Sequence, residues 1–584
     1  MHNDEPRMEL RALLAVILSM AVLASYQFFF VPAPVDRPSL EPPVQVAPEG
    51  PPEAIPALAD DSGLTPPGAE AQTATTTAIE SQVTIIAENY RASLTNRGGR
   101  ITSMVLPAYR DDAGAELDLV SPSATTANRL PLEWFGIASA ATALNNELFE
   151  VSVDGGGFGD ERTIAGDESV LVTYSWADGA GRTATKTIRF PGAGNQIHVS
   201  ASGTGFGELF LGLGAGLDQV PAGLRNAYLA ESALIYSPAG LETWSAGDLA
   251  TPVAIDGPLW VGQESHYFLA AFLLDEAPVP PRALLTVVDV EQPAAVDAED
   301  QSPVAHQVPA IAASVASFGL SAPVYFGPKK YDYLTQQGHE LEQAIDFGIW
   351  GFISRPLLFV LNTIHSFTAN YGLAIILLTA LLRLVFWPLN QKAMTSMRKT
   401  QKLQPQMAAI RGKYKGAKDL EKRQQMNEEV MALYKREGVS PLGGCLPMLA
   451  QIPILFSFYA LLSVAIELRQ APFFLWVTDL SSHDPYLVLP LLMGASMFFQ
   501  QRLTPQTAAD PQQASMMRMM RFMPIFFTVM FLYVPSGLVL YWLSNNLLGI
   551  GQQLYVNRSM DRQIEAEKAA KKAAKKAAKA QRGN

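Results

Sequence analysis

Cysteine occurs once in 584 residues, as Cys445 in an apolar stretch. An intrachain disulfide is therefore excluded, and so is a metal site built on cysteines. Charge is scarce too: charged residues make up 17% of the chain against 48% apolar ones, a balance that suits a chain partly soluble and partly embedded in lipid. No G-x-x-x-x-G-K-[ST] loop is present, so nucleotide-driven work of the P-loop kind is excluded. Carboxylates are missing from the long apolar runs after Ala369, with Glu467 standing just outside one of them. A proton relay or a cation channel would place Asp, Glu or His inside such runs.

The charge that is present is unevenly spread. The formal net charge is −12, yet acids outnumber bases more than two to one between the first apolar run and about Lys330, and the segments beyond it that face away from that region are basic. "ALLAVILSMAVLASYQFFFV", residues 12–31, follows Arg7 and Arg11 and has the roughly twenty residues needed to cross a bilayer. It exceeds the usual apolar core of a cleaved signal peptide and reads as a signal anchor, leaving 1–11 in the cytoplasm. Residues 32–80 are rich in Pro, Ala and acids and read as a linker too polar to fold. From 81 to 326 short alternating runs such as "ERTIAGDESVLVTYSWADGAGRTATKTIRF" are punctuated by Gly, Asp and Asn, the pattern of antiparallel strands in a β-sandwich.

The rest reads as membrane. Spans are expected at 369–389, 443–466, 486–501, 519–534 and 537–555, six with the first. The two of about sixteen residues suit a locally thinned bilayer. Residues 327–368 are broken by charge and Gly and read as an amphipathic interfacial helix. The segment 390–440 and the tail 557–584, with "KAAKKAAKKAAKA", carry the basic residues, which places both in the cytoplasm with both termini, and the acidic β domain outside. The tail lacks an apolar face; its charge suits RNA, anionic lipid, or simply a topology anchor. The segment 390–440 reads as a helical hairpin about "KGAKD". Its Met394, Met397, Met407, Met426 and Met431 either seal the two helices or receive an apolar segment of a partner.

Arg383, in "ILLTALLRLVFWPL", is the residue that needs explaining. It lies six residues before Leu389, roughly 9 Å along a helix, so one reading is a side chain snorkelling to the cytoplasmic headgroups. A cation at membrane depth costs about 2.5–3.5 kcal/mol on insertion scales, which points instead to a polar cavity. Thr379 and Trp387, four residues to either side, share its face. Gln451 lies in the third span, Gln500 and Gln501 end the fourth, and the last span carries Tyr541, Trp542, Ser544, Asn545, Asn546, Gln552 and Gln553. With no carboxylate in the spans to neutralise it, Arg383 is expected to face a hydrated pocket open to the cytoplasm.

Several stretches, in order, carry a resemblance: "YFGPKKYDYL", "YGLAIILLTALLRLVFWPL", "LQPQMAAIRGKY", "LYKREGVSPLGGCLPMLAQIPILFSFYALL", "APFFLWVTDLSSHDPYLVLP" and "GLVLYWLSNNLLGIGQQ". Together they resemble the YidC family of membrane-protein insertases over about 324–557. "LTNRGGRITSMVLPAY" and "LWVGQESHYFLAAFLL" resemble the outer domain of its Gram-negative members. The resemblance implies a polytopic α-helical membrane protein with a five-helix insertase core around a hydrophilic groove at 369–556, plus a periplasmic all-β supersandwich. Arg383 matches the groove arginine; Thr379, Tyr541 and Trp542 match positions that meet a nascent segment; Gln500 or Gln501 and Asn545 would line the groove. Ser440 stands where Asn is common.

On this reading the chain is no enzyme and needs no cofactor or metal. It inserts nascent proteins into the bacterial inner membrane, with the Sec translocon and, through tail and hairpin, the ribosome as further partners. The competing class is a transporter or channel with an extracytoplasmic binding domain, but neither coupling acids nor related halves are seen. An envelope enzyme would rest on His198, His266 and His306, whose spacing matches no catalytic or metal pattern.

Overall fold

The computed structural model describes residues 79–581 except 112, 137–138, 155–158, 160, 218–230, 276–280, 293–303, 316–318, 415–418, 439–445 and 504–510. The expected signal anchor, nearly all of the linker, Ser440 and Cys445 lie outside the described residues, which belong to one compact unit, Thr76–Asn584.

Strands run from Gln82 to Pro328 and form three sheets. The largest has nine strands in the spatial order Gly240–Trp244, Ser232–Ser237, Trp260–Glu264, Phe268–Leu273, Leu320–Pro328, Gln196–Thr204, Thr183–Pro191, Ser169–Ala177 and Glu150–Val153, all antiparallel. A five-stranded sheet begins with Glu116–Asp118, Arg100–Arg110, Arg91–Thr95 and Gln82–Ile86, and ends with Glu161–Thr163 in parallel. The other has the order Val253–Asp256, Arg282–Gln292, Val304–Val315, Leu209–Gly212 and Glu133–Phe135.

Period-two patterning explains the common core of the three sheets. In Thr183–Pro191 the residues Ala184, Lys186, Ile188 and Phe190 are buried and their neighbours are not, as alternation on a pleated strand requires. Phe268–Leu273 is buried at every position, because both of its faces are covered. Phe268, Ala270 and Phe272 join the core between the sheets, while Leu269, Ala271 and Leu273 pack with Leu334, Leu341, Leu357 and Leu361 of the segment that follows. That double burial is why "FLAAFLL" has no alternation. The β domain is thereby fixed to the helical part by a shared apolar core and not by chain connectivity alone.

Residues 327–368 are not one helix. They hold a short helix, Tyr331–Gln337, two 3₁₀ turns at Leu341–Ala344 and Gly348–Trp350, and α1, Gly351–Thr368. Gly338 at φ 75° ends the first helix and Gly348 at φ 60° opens the second turn, both conformations that favour glycine. Then come α2 (Tyr371–Val385), α3 (Trp387–Lys413), α4 (Leu420–Arg436), α5 (Leu446–Val464), α6 (Val488–Leu503), α7 (Pro511–Met530) and α8 (Ser536–Gln581). The tail continues α8 without a break, since Ala and Lys are good helix formers. No single described helix is long and apolar enough to cross a membrane by length and composition; α2 and α3, bent by 64°, pass together.

Asn370 caps α2 by accepting from the Leu373 N–H at 2.9 Å, and its amide donates to the Pro472 and Phe473 carbonyls. Gly372 lies beneath that loop, and a Cβ there would come 2.0 Å from the Phe473 ring. Gly372→Val should therefore destabilise the fold by about 1–3 kcal/mol, the usual cost of overpacking, read as a lower thermal midpoint of the purified protein in detergent. An unchanged midpoint would remove the close contact from the account.

Candidate functional site

The chain bends between α2 and α3 because of "FWP". Pro388, in the first turn of α3, has no N–H to continue the α2 ladder, and its ring would meet the carbonyl four residues back. The bend opens a small recess of about 20 Å³ beside Thr379, Leu382, Arg383, Phe386 and Asn390. Gln451 and Ile454 of α5 and Tyr541 and Asn545 of α8 complete its wall. The α2–α3 contribution falls at spacings of three and four, one stripe carried across the bend.

Arg383 is held by neutral groups. Its Nε donates to Asn545 Oδ1 at 2.9 Å, and its Nη2 donates to the Asn545 main-chain oxygen at 2.7 Å. No carboxylate is among the residues that line the recess, so the guanidinium is oriented without being neutralised. Gly549, one turn beyond Asn545, makes the room: a Cβ there would stand 2.7 Å from Arg383 Nη2 and 2.8 Å from Gln500 Nε2. Tyr541 is stacked on Phe458, with centroids 4.3 Å apart, and its hydroxyl is hydrogen-bonded by Gln451. Thr379 lines the recess, yet its hydroxyl donates at 2.6 Å to the Ile375 carbonyl of its own helix.

The recess thus gathers Thr379, Arg383, Gln451, Tyr541 and Asn545 and leaves other expected residues aside. Trp542 packs on Phe527 and Phe531, with centroids 5.6 and 5.1 Å away, because adjacent residues on a helix point about 100° apart. Trp387, expected on the face of Arg383, lies past the bend; it packs near Tyr555 and donates to Gln391 Oε1 at 3.0 Å. Gln500 approaches Arg383 at Gly549, while Gln501 is half-buried outside the lining. Phe386, Asn390 and Gly549 went unread in the sequence. Asn390 lies past the bend, as Trp387 does, and still lines the recess.

Further polar groups of α8 pair with neighbouring helices or within α8. Asn546 donates to Ser496 Oγ at 3.0 Å, Gln552 to the Trp387 carbonyl at 3.3 Å and Gln553 to Asn557 Oδ1 at 2.9 Å, interhelical and local bonds of the kind that hold helices together in lipid. Arg398 of α3 ties to Asn557 and Asp561 of α8.

In the hairpin α3 and α4 run antiparallel, with Leu403, Met407, Val430 and Leu433 between them and the Tyr434 hydroxyl 3.3 Å from the Met407 sulfur. Met407 therefore seals the hairpin. Met431 is 48% exposed, and Met394, Met397 and Met426 are half-buried. In the β domain His198 bonds Ser321 at the surface, and His266 sits edge-on to Tyr267; the His306 side chain lies outside the described residues. No group of three side chains able to hold a metal occurs among the described residues.

Residues 363–563 match the family described as 60Kd inner membrane protein, and 82–360 match the YidC periplasmic domain. The "Membrane protein insertase YidC" of Geobacter sp. (strain M21) is 38% identical over 498 residues, covering 83% of this chain and 87% of its own. Those of Citrifermentans bemidjiense and Nitratidesulfovibrio vulgaris (strain DP4) are 36% and 35% identical, covering 95% and 94% of this chain and 100% and 99% of their own. A solved structure of an active YidC insertase covers 81% of this chain and 92% of its own at 17% identity, with a TM-score of 0.33, too low to bear on the fold.

Proposed function

Because the chain belongs to the YidC family of membrane protein insertases, we propose that it inserts nascent inner-membrane proteins by taking their short polar segments into the recess around Arg383. The observation that carries this reading is a guanidinium oriented by Asn545 in a wall whose described lining holds no carboxylate. Such a site attracts an acidic segment and favours water over lipid. The recess would act as a groove open to the cytoplasm, in a six-span topology with both termini inside and the β domain, a supersandwich, in the periplasm. The client's apolar helix leaves along α5 and α7 into lipid, and its burial, worth roughly 25 cal/mol per Å², drives the step without nucleotide. The hairpin and the basic tail would meet the ribosome, and the Sec translocon would share clients.

Photocrosslinkers placed at Thr379 and Tyr541 should capture a ribosome-stalled membrane client more strongly than one at Leu377, which is 48% exposed on the far side of α2. Equal capture at the three positions would exclude the recess as the client's path.

A further inference from the structure

A second opening lies on the hairpin. Lys392, Thr395, Ser396 and Lys399 of α3 line an open cleft of about 470 Å³, with Pro388 at one end and Gly438, just past α4, beside them. Spacings of three, four and seven put the four side chains on one helix face, with the two lysines roughly 10 Å apart along the axis and the hydroxyls between them. No carboxylate is among the lining residues, and neither lysine forms an ion pair among the described residues. Arg398, by contrast, is spent on Asn557 and Asp561.

The bend fixes the height of this cleft. Leu384 and Val385, the last residues of α2, are 65% and 63% exposed apolar side chains, as expected where a helix faces lipid. From there α3 departs at 64°. If α2 follows the bilayer normal, the eleven residues from Pro388 to Lys399 descend only about 7 Å, comparable with the roughly 5–7 Å that the headgroup layer adds to each side of the hydrocarbon. Both ammoniums and both hydroxyls then lie at phosphate level.

We propose that this cleft binds the phosphate of an anionic phospholipid of the cytoplasmic leaflet. Lys392 and Lys399 supply the charge and Thr395 and Ser396 the hydroxyls, so that the root of the hairpin is anchored beside the recess. The inference rests on the membrane placement given under the proposed function.

The test uses the full-length protein in detergent, titrated with phosphatidylglycerol or phosphatidylcholine and read by native mass spectrometry. Phosphatidylglycerol should bind preferentially. The double variant Lys392→Gln/Lys399→Gln should weaken it about 30-fold, about fivefold per lysine, and Lys392→Arg/Lys399→Arg should restore it. Equal binding of the two lipids, or an unchanged double variant, overturns the proposal. Displacement of the lipid by millimolar inorganic phosphate would make the cleft a free-phosphate site, and tighter binding of a single-stranded RNA would make it a nucleic-acid site; either result also overturns it. Client insertion by the same variants in proteoliposomes reports the recess separately. Normal insertion without lipid preference removes the cleft alone, and lipid preference without insertion removes the recess alone.

Discussion

Arg383→Ala should lower insertion of clients with acidic translocated segments about tenfold, while Arg383→Lys should keep most of the activity. At about 10 Å and an effective dielectric near 20, a carboxylate and the guanidinium attract by about 1.7 kcal/mol, and roughly 1.4 kcal/mol on a barrier is a factor of ten. Lysine preserves that attraction but forms no planar fork, so it loses one of the two bonds that Asn545 accepts. The measurement is protease protection of the translocated segment in proteoliposomes, with paired clients that differ only in acidic or neutral residues there. Normal insertion of the acidic client by Arg383→Ala would end the cationic-recess reading.

The paired clients also distinguish two roles for the charge. If Arg383 attracts the client, the acidic one suffers and the neutral one does not. If it serves mainly to keep the recess hydrated, both fall together. Gly549→Ala adds a control that leaves the charge in place: its Cβ would come 2.7 Å from Arg383 Nη2, so the guanidinium must turn away from Asn545. Selectivity for the acidic client should then weaken less than in Arg383→Ala, because attraction over about 10 Å tolerates a shift of an ångström or two.

How much of this was legible depended on whether the cause was local. The strands from Gln82 to Pro328, the hairpin on either side of "KGAKD" and the gathering of Arg383 with Thr379, Gln451, Tyr541 and Asn545 follow from periodicity and from polar residues placed in apolar runs. The bend was written in Pro388, but reading 369–389 as one span carried Trp387 along the face of Arg383 when the chain had already turned. Within 327–368 the helix is confined to Tyr331–Gln337 and Gly351–Thr368, with Gly338 and Gly348 interrupting the stretch between them. Gly549 had no local signal: its lack of a side chain matters only because Arg383 and Gln500 arrive from two other helices. The joint core of the β domain and the helices is likewise long-range, although "FLAAFLL" hinted at it by failing to alternate.

Lys186 is the other case where alternation carried a message, and it sets the second large effect. Its position in Thr183–Pro191 points inward, and the structure buries it completely. The ammonium donates to the carbonyls of Gly98 at 3.1 Å, Gly99 at 2.8 Å and Leu132, and lies 4.5 Å from the centre of the Trp134 ring. Burial pushes this group well below the ordinary lysine range, a cost that the three carbonyls offset. They come from two different sheets' connections, one of them the turn in which Gly98 and Gly99 take φ of 73° and 59°. Lys186→Met fills the volume but leaves three buried acceptors without this donor, each worth about 1–3 kcal/mol, against the desolvation cost that the change relieves. The net loss should be about 3 kcal/mol, or roughly 6–12 °C in the melting of a domain this size, followed through intrinsic tryptophan fluorescence of the full-length protein. Insertion per folded molecule should stay unchanged, since Lys186 has no contact with the recess. A midpoint within about 1 °C of the wild type would mean that the ammonium is not what joins these turns.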